Sequence, residues 1–180
     1  QSRKIVADFV GAGEDDCVIF CVNTSEAINR LANCLSIKGD EIILTTVMEH
    51  HSNDLPWRPK GKVIHVGVEG DGSLSLEKIA ALLERNQGRI KLVAVSGASN
   101  VSGFVNPIHE IAEVAHRFGA RIFIDCAQLA PHREIKMGKR DDPGHLDFIA
   151  LSAHKMYAPF GSGALVGLKE FFAQNPPDYR

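Results

Sequence analysis

IKLVAVSGASNVSGFVNPIHEIAEVAHRFGARIFID, residues 90–125, is the stretch that decides the fold. An apolar, β-branched run (IKLVAVS, 90–96) leads through a Gly/Ser/Asn turn into a segment of helical period. A second apolar run (RIFID, 121–125) follows. In the middle segment Ile108, Ile111, Val114, Ala115 and Phe118 share one face. Asn106 is placed to cap it, Pro107 suits a first turn and Gly119 ends it, which predicts a helix over 107–118. Nearly continuous apolar runs mark strands buried on both faces.

The same alternation continues outward. Strands are predicted at CVIFC (17–21), EIILTT (41–46), KVIHV (62–66), DFIALS (147–152) and GALVGL (163–168). Helices are predicted over 25–36, entered from Asn23 or Thr24 as cap, and over 75–86, where Leu76, Ile79, Ala80 and Leu83 share a face. The first residues, QSRKIVADFVGA, also read as helix. Strands alternating with helices imply an α/β fold with a mainly parallel sheet. The tail from Asn175 to Arg180, with Pro176-Pro177, reads as a linker or truncation point.

A chain of 180 residues suffices for one domain with a real core. Its net charge of −2 offers no basic surface, so neither nucleic acid nor an anionic membrane is expected as a partner. No apolar run is long enough to span a bilayer, and the N-terminus lacks the regions of a signal peptide. Cys17, Cys21, Cys34 and Cys126 form no C-x-x-C pair and no zinc-ligand spacing, so reduced thiols and a cytoplasm-like compartment are expected.

Ligands of parallel α/β sheets bind at the carboxyl ends of the strands. Thr24 and Ser25 follow the first strand and open a helix, which suits either simple capping or an anion such as phosphate. His50 and His51 follow the second strand, but adjacent side chains point in different directions, so no metal site is expected there. Asn100 lies after IKLVAVS. Asp125 ends RIFID, where it either caps the next segment or pairs with a ligand cation, and Gln128 lies three residues on. Lys155 stands among Ser152, His154 and Tyr157 after DFIALS. There it is either a solvated charge or a functional amine whose basicity burial can lower.

Taken together, FCVNTSEAINRLA (20–32), MEHHSNDLPW (48–57), SNVSG (99–103), RIFIDCAQLAPH (121–132) and HLDFIALSAHKMYAPFGSGAL (145–165) resemble the class V aminotransferase superfamily. The nearest resemblance is to its cysteine desulfurase and selenocysteine lyase branch. The most specific elements are D-x-A-Q-x-x-P-H (125–132) and S-x-H-K-x-Y-x-P-x-G-x-G (152–163). Asn23, where the family usually carries glycine, and Cys126, in place of a small residue, depart from the pattern.

The resemblance implies a three-layer α/β/α large domain of fold type I with a mainly parallel, mixed central sheet. It implies pyridoxal 5'-phosphate as cofactor, with Lys155 as the Schiff-base lysine. Asp125 would bond the pyridine nitrogen and Gln128 the phenolic oxygen. His50 would stack on the ring and serve as acid or base. Thr24, Ser25, Ser152 and His154 would hold the phosphate, and Asn100 would line the substrate side.

The implied reaction converts L-cysteine to L-alanine with transfer of sulfur. Transamination, epimerisation or β-elimination on the same scaffold, and a non-enzymatic cofactor-binding or structural role, remain as alternatives. A homodimer, an amino-acid substrate and a sulfur-acceptor protein are the implied partners. Family members are about twice as long, so residues 1–180 are expected to be a large domain truncated at both ends and lacking the small C-terminal domain. The persulfide-forming cysteine and the carboxylate-binding arginine of desulfurases lie in that later region.

Overall fold

A computed structural model describes residues 1–176, so residues 177–180 of the expected linker lie outside the described residues. The apolar runs form seven strands: β1 (Asp16–Cys21), β2 (Ile42–Thr46), β3 (Lys62–Val66), β4 (Ile90–Ser96), β5 (Arg121–Asp125), β6 (Phe148–Ser152) and β7 (Gly163–Leu168). They make one sheet in the order β1-β7-β6-β5-β4-β2-β3. The β3, β2, β4, β5 and β6 strands run parallel; β7 runs antiparallel to both β6 and β1. The sheet is therefore mixed but mainly parallel, as expected, and each strand lies within a residue or so of its predicted bounds.

The helices are α1 (Ser2–Phe9), α2 (Thr24–Cys34), α3 (Leu76–Arg85), α4 (Ile108–Arg117) and α5 (Lys169–Gln174). Alternation along each strand sends neighbouring side chains to opposite faces. Ile42, Leu44, Val93, Val95, Ile122, Ile124, Ile149 and Val166 join α3 and α4 in one core cluster. Ile43, Leu92, Ala94, Phe123, Phe148 and Leu165 join α2 and α5 in the other. Two cores, one on each face, make three layers. Sequence reading overlooked α5, whose six residues are too few to show a helical period.

Helix entry differs from expectation at one point. Asn106 does not cap α4, which starts at Ile108 with Pro107 in the cap position and no side-chain cap bond. The Asn106 side chain is buried and donates instead to the Ser96 carbonyl at 2.7 Å. A buried amide gains more from an unpaired carbonyl at a strand end than from an exposed helix start. Among the described residues, no helix is long and apolar enough to cross a membrane.

At the amino ends of the strands lies a buried ionic cluster that the sequence did not announce. Asp147, 3% exposed, accepts from the Ile122 amide at 2.9 Å and faces Nε2 of His116 at 2.8 Å and of His145 at 3.5 Å. Each imidazole turns its Nδ1 to a backbone carbonyl, of Pro143 for His116 and of Asp142 for His145. The two rings stack at 4.2 Å, 19° from parallel. His116, His145 and Asp147 could in principle hold a metal ion. In-plane lone pairs on nearly parallel rings do not converge on one point, however, so the arrangement suits protons shared with the carboxylate.

Burial alone would push the Asp147 carboxyl up, but the bonds from His116, His145 and the Ile122 amide outweigh it and hold the group well below the usual carboxylate range. The same Asp147 bond raises His145 despite its partial burial. Asp147 therefore stabilises the fold fully above about pH 4, its unfolded value, and loses that contribution as pH falls. His145 contributes fully below about pH 6.5 and loses its contribution as pH rises through its raised folded value. Thermal unfolding against pH is expected to give a stability maximum between these limits. Asp147→Asn should lower that maximum by about 3 kcal/mol and flatten both flanks.

Candidate functional site

Because β1, β2, β4, β5 and β6 point the same way, their carboxyl ends share one edge of the sheet. A cavity of about 320 Å³ opens there. Thr24, Ser25, His50, Asn100, Asp125, Gln128, Ser152, His154 and Lys155 all line it. Every site residue singled out in the sequence is thus brought to one place, from five strand ends.

The first end is the entry to α2. Asn23 has φ −168° and ψ 177°, extended backbone open to any residue, so its place where glycine is common imposes no strain. Its side chain caps the helix by accepting from the Glu26 amide at 2.9 Å. Thr24 is tied across the sheet: its amide donates to Ser152 Oγ at 2.8 Å, and the two hydroxyls lie 2.7 Å apart. Gly163, at the start of β7, makes this crossing possible. A Cβ there would come within 2.8 Å of both Asn23 Cα and the Leu151 carbonyl. The antiparallel β7 is thereby packed against the backbone that enters α2.

At the end of β5, Asp125 and the residue after it, Cys126, diverge. Asp125 is 5% exposed and lines the cavity, its Oδ1 accepting from the Ala127 amide at 2.9 Å. Cys126 is fully buried in the core. Burial pushes the Asp125 carboxyl up, against the pull of the Ala127 amide and of the Lys155 and His50 charges. Such a carboxylate gains from a cation set in front of it. The Cys126 thiol is pushed well up by burial and then by the Asp125 charge.

Beyond β6 the chain makes a 3-10 turn, Ala153–Met156, that carries His154 and Lys155 and ends at Tyr157 with φ 62°, a left-handed backbone. Lys155 is exposed rather than buried, because a single 3-10 turn lifts it off the strand end. His154 stacks on Phe160 at 5.1 Å, and its Nδ1 is buried with no hydrogen-bond partner among the described residues. An unpaired buried nitrogen is costly in a native fold, and its place on the cavity wall suits a polar ligand group.

The His50 loop hangs from a carboxylate that sequence reading missed. Both Glu49 oxygens face inward and accept from Thr46 Oγ1 at 2.6 Å, Asn53 Nδ2 at 2.6 Å, Ser96 Oγ at 2.6 Å and the Ser96 amide at 3.1 Å. Burial pushes this carboxyl up, against those four donors. Further along, Trp57 is fully buried and its indole N–H donates to the Asn53 carbonyl at 2.9 Å. The His50 and His51 rings lie 6.5 Å apart and tilt by 52°. Ser52 and Ser96 join the cavity wall as well. The polar run MEHHSN was the one available signal for Glu49 and Ser52.

The donors thus fall into two groups. Thr24, Ser25, Ser152 and His154, at a helix start and a strand end, fit an anionic group. Asp125 fits a cationic nitrogen, and Lys155 brings an exposed amine to the same cavity.

The sequence profile described as Aminotransferase class-V matches residues 1–179. A probable cysteine desulfurase of Mycolicibacterium paratuberculosis is 39% identical over 186 residues, covering 98% of this chain and 26% of the relative. A probable cysteine desulfurase of Synechocystis sp. is 39% identical over 184 residues, covering 97% of this chain and 42% of the relative. Among solved structures, the apo cysteine desulfurase of Thermococcus onnurineus superposes with a TM-score of 0.82 at 37% identity, over 96% of this chain and 43% of that one. A cysteine desulfurase of Escherichia coli superposes at 0.84 with 28% identity, over 95% and 43%. The chain spans less than half the length of each of these relatives.

Glu49→Gln tests the loop anchor. An amide group would turn a donor toward partners that all donate, leaving at least one without an acceptor. Denaturant unfolding should show a loss of about 1–3 kcal/mol.

Proposed function

The chain belongs to the class V aminotransferase family, and from that premise we propose that the cavity is the pyridoxal 5'-phosphate site of a cysteine desulfurase-type enzyme. The observation that carries the proposal is the convergence of nine motif residues from five strand ends on one cavity. Residues 1–180 are read as the cofactor-binding large domain. The working enzyme is a homodimer in a reducing, cytoplasm-like compartment, taking an amino-acid substrate and passing sulfur to an acceptor protein.

Bound in the cavity, pyridoxal phosphate supplies an electron sink for charge that develops on the substrate's α-carbon. The chain's own residues hold it and move protons. Thr24, Ser25, Ser152 and His154 bind the phosphate. Asp125 keeps a proton on the pyridine nitrogen, a cation that offsets the cost of burying the carboxylate. Gln128 bonds the phenolic oxygen, and His50 lies against the ring. Lys155 Nζ would hold the cofactor covalently and, as a free amine, would move protons at the substrate's α-carbon. Asn100 lines the substrate side.

Conversion of cysteine to alanine breaks the Cβ–S bond and gives the sulfur to a thiolate. Cys21, Cys34 and Cys126 are buried, Cys17 is half-buried, and none of the four lines the cavity. The sulfur acceptor is therefore a cysteine other than these four.

Adding pyridoxal phosphate to the protein is expected to give the visible absorption band of a lysine-bound cofactor. Lys155→Ala should abolish the band, and Asp125→Asn should weaken cofactor binding roughly 30-fold or more. An unchanged band in Lys155→Ala overturns the assignment. In the whole protein, cysteine should yield alanine and sulfide in equal amounts under a reductant; pyruvate in place of alanine would overturn the desulfurase reading.

A further inference from the structure

We propose that Ser52 is a positioning residue that fixes the tautomer of His50, so that the ring offers the cavity an N–H donor at Nε2. This deepens the reading of the cavity as a cofactor site and rests on it for its chemical meaning. The Ser52 amide donates to His50 Nδ1 at 3.1 Å, and Ser52 Oγ lies 2.7 Å from the same nitrogen. A backbone amide can only donate, so Nδ1 must present its lone pair. The hydroxyl then donates to it as well. In the uncharged ring the one remaining proton sits on Nε2.

The loop leaves Ser52 little freedom to drift away. The Asn53 amide donates to the His50 carbonyl at 2.8 Å, closing the turn around Ser52. On one side the Glu49 carboxylate ties the segment to Ser96, and on the other the buried Trp57 donates to Asn53 and packs edge-on against Phe123 of the sheet. His50 itself is exposed and sits between two cavities, the polar one and a neighbour of about 380 Å³ lined by Val47, Met48, Val68 and Val101.

Two consequences follow for the chemistry. A base at Nε2 would need its proton moved to Nδ1, with the loss of the Ser52 amide bond and reversal of the hydroxyl bond. Donation from Nε2 needs no rearrangement, so His50 serves a ligand oxygen or sulfur as a hydrogen-bond donor.

Ring-nitrogen NMR on the protein without cofactor reads the tautomer directly, with His50→Asn identifying the His50 signals among the eight histidines. The His50 Nδ1 signal is expected in the unprotonated range and Nε2 in the protonated range. Ser52→Pro removes the amide N–H, so the share of the minor tautomer should rise about fivefold, the worth of one hydrogen bond. Ser52→Ala keeps the amide and should keep the parent tautomer, which separates the effect of the amide from that of losing the side chain. A protonated Nδ1 in the parent or in Ser52→Ala, or an unchanged ratio in Ser52→Pro, overturns the proposal. Since no cofactor is present, failure here is separate from failure of the cofactor reading, which the absorption band decides.

Discussion

The shared direction of five strands is the constraint on which the rest depends. A strand delivers its last residue, and the loop after it, to one edge only. Parallel pairing therefore gathers Thr24, His50, Asn100, Asp125 and Lys155 although 131 positions separate the first from the last. The antiparallel β7 does not dilute the gathering. It starts at that edge and runs away from it, and its first residue, Gly163, meets the entry of α2, where only a hydrogen fits between the two backbones. The Thr24–Ser152 hydroxyl pair then closes the edge between β1 and β6.

Two carboxylates stabilise opposite ends of this sheet by different physics. Glu49, at the carboxyl edge, is surrounded by neutral hydroxyl and amide donors and brings no cation near the cavity. Asp147, at the amino edge, is paired with His116 and His145. The first arrangement holds a loop without a titrating cation beside it. The second makes the opposite end of the fold sensitive to pH. The placement keeps the one cavity-facing carboxylate that lacks such a full set of donors, Asp125, free to respond to a ligand.

Most of this architecture was legible in the sequence because it rests on local signals. Continuous β-branched runs, a Pro107 start and a Gly119 stop are read within a few residues of one another. The positions of Asp125 and Lys155 followed from strand ends alone. What stayed hidden depends on partners distant in sequence. Glu49 meets Ser96 across 47 positions, Asp147 meets His116 across 31, and Asn106 gave up its cap for the Ser96 carbonyl. Lys155 proved exposed because a 3-10 turn after β6 carries no periodic signal. The bonds of Ser52 are local, but a serine beside a histidine predicts no tautomer until the amide's direction is known.

The contrast between Asp125 and Cys126 carries the last step. Successive side chains on one strand go to opposite faces, so the same backbone that presents a carboxylate to the cavity buries the adjacent thiol in the core. On the proposed reading, this edge is built to hold a flat, charged cofactor: Thr24, Ser152, Asp125 and His50 are each held by a bond of their own. Carrying sulfur away requires the opposite property, a thiol that approaches the reacting carbon and then leaves. A thiol fixed in a sheet as dense as this one cannot do that. The rigid edge and the sulfur carrier must therefore be separate pieces of structure, and the buried cysteines here belong to the first.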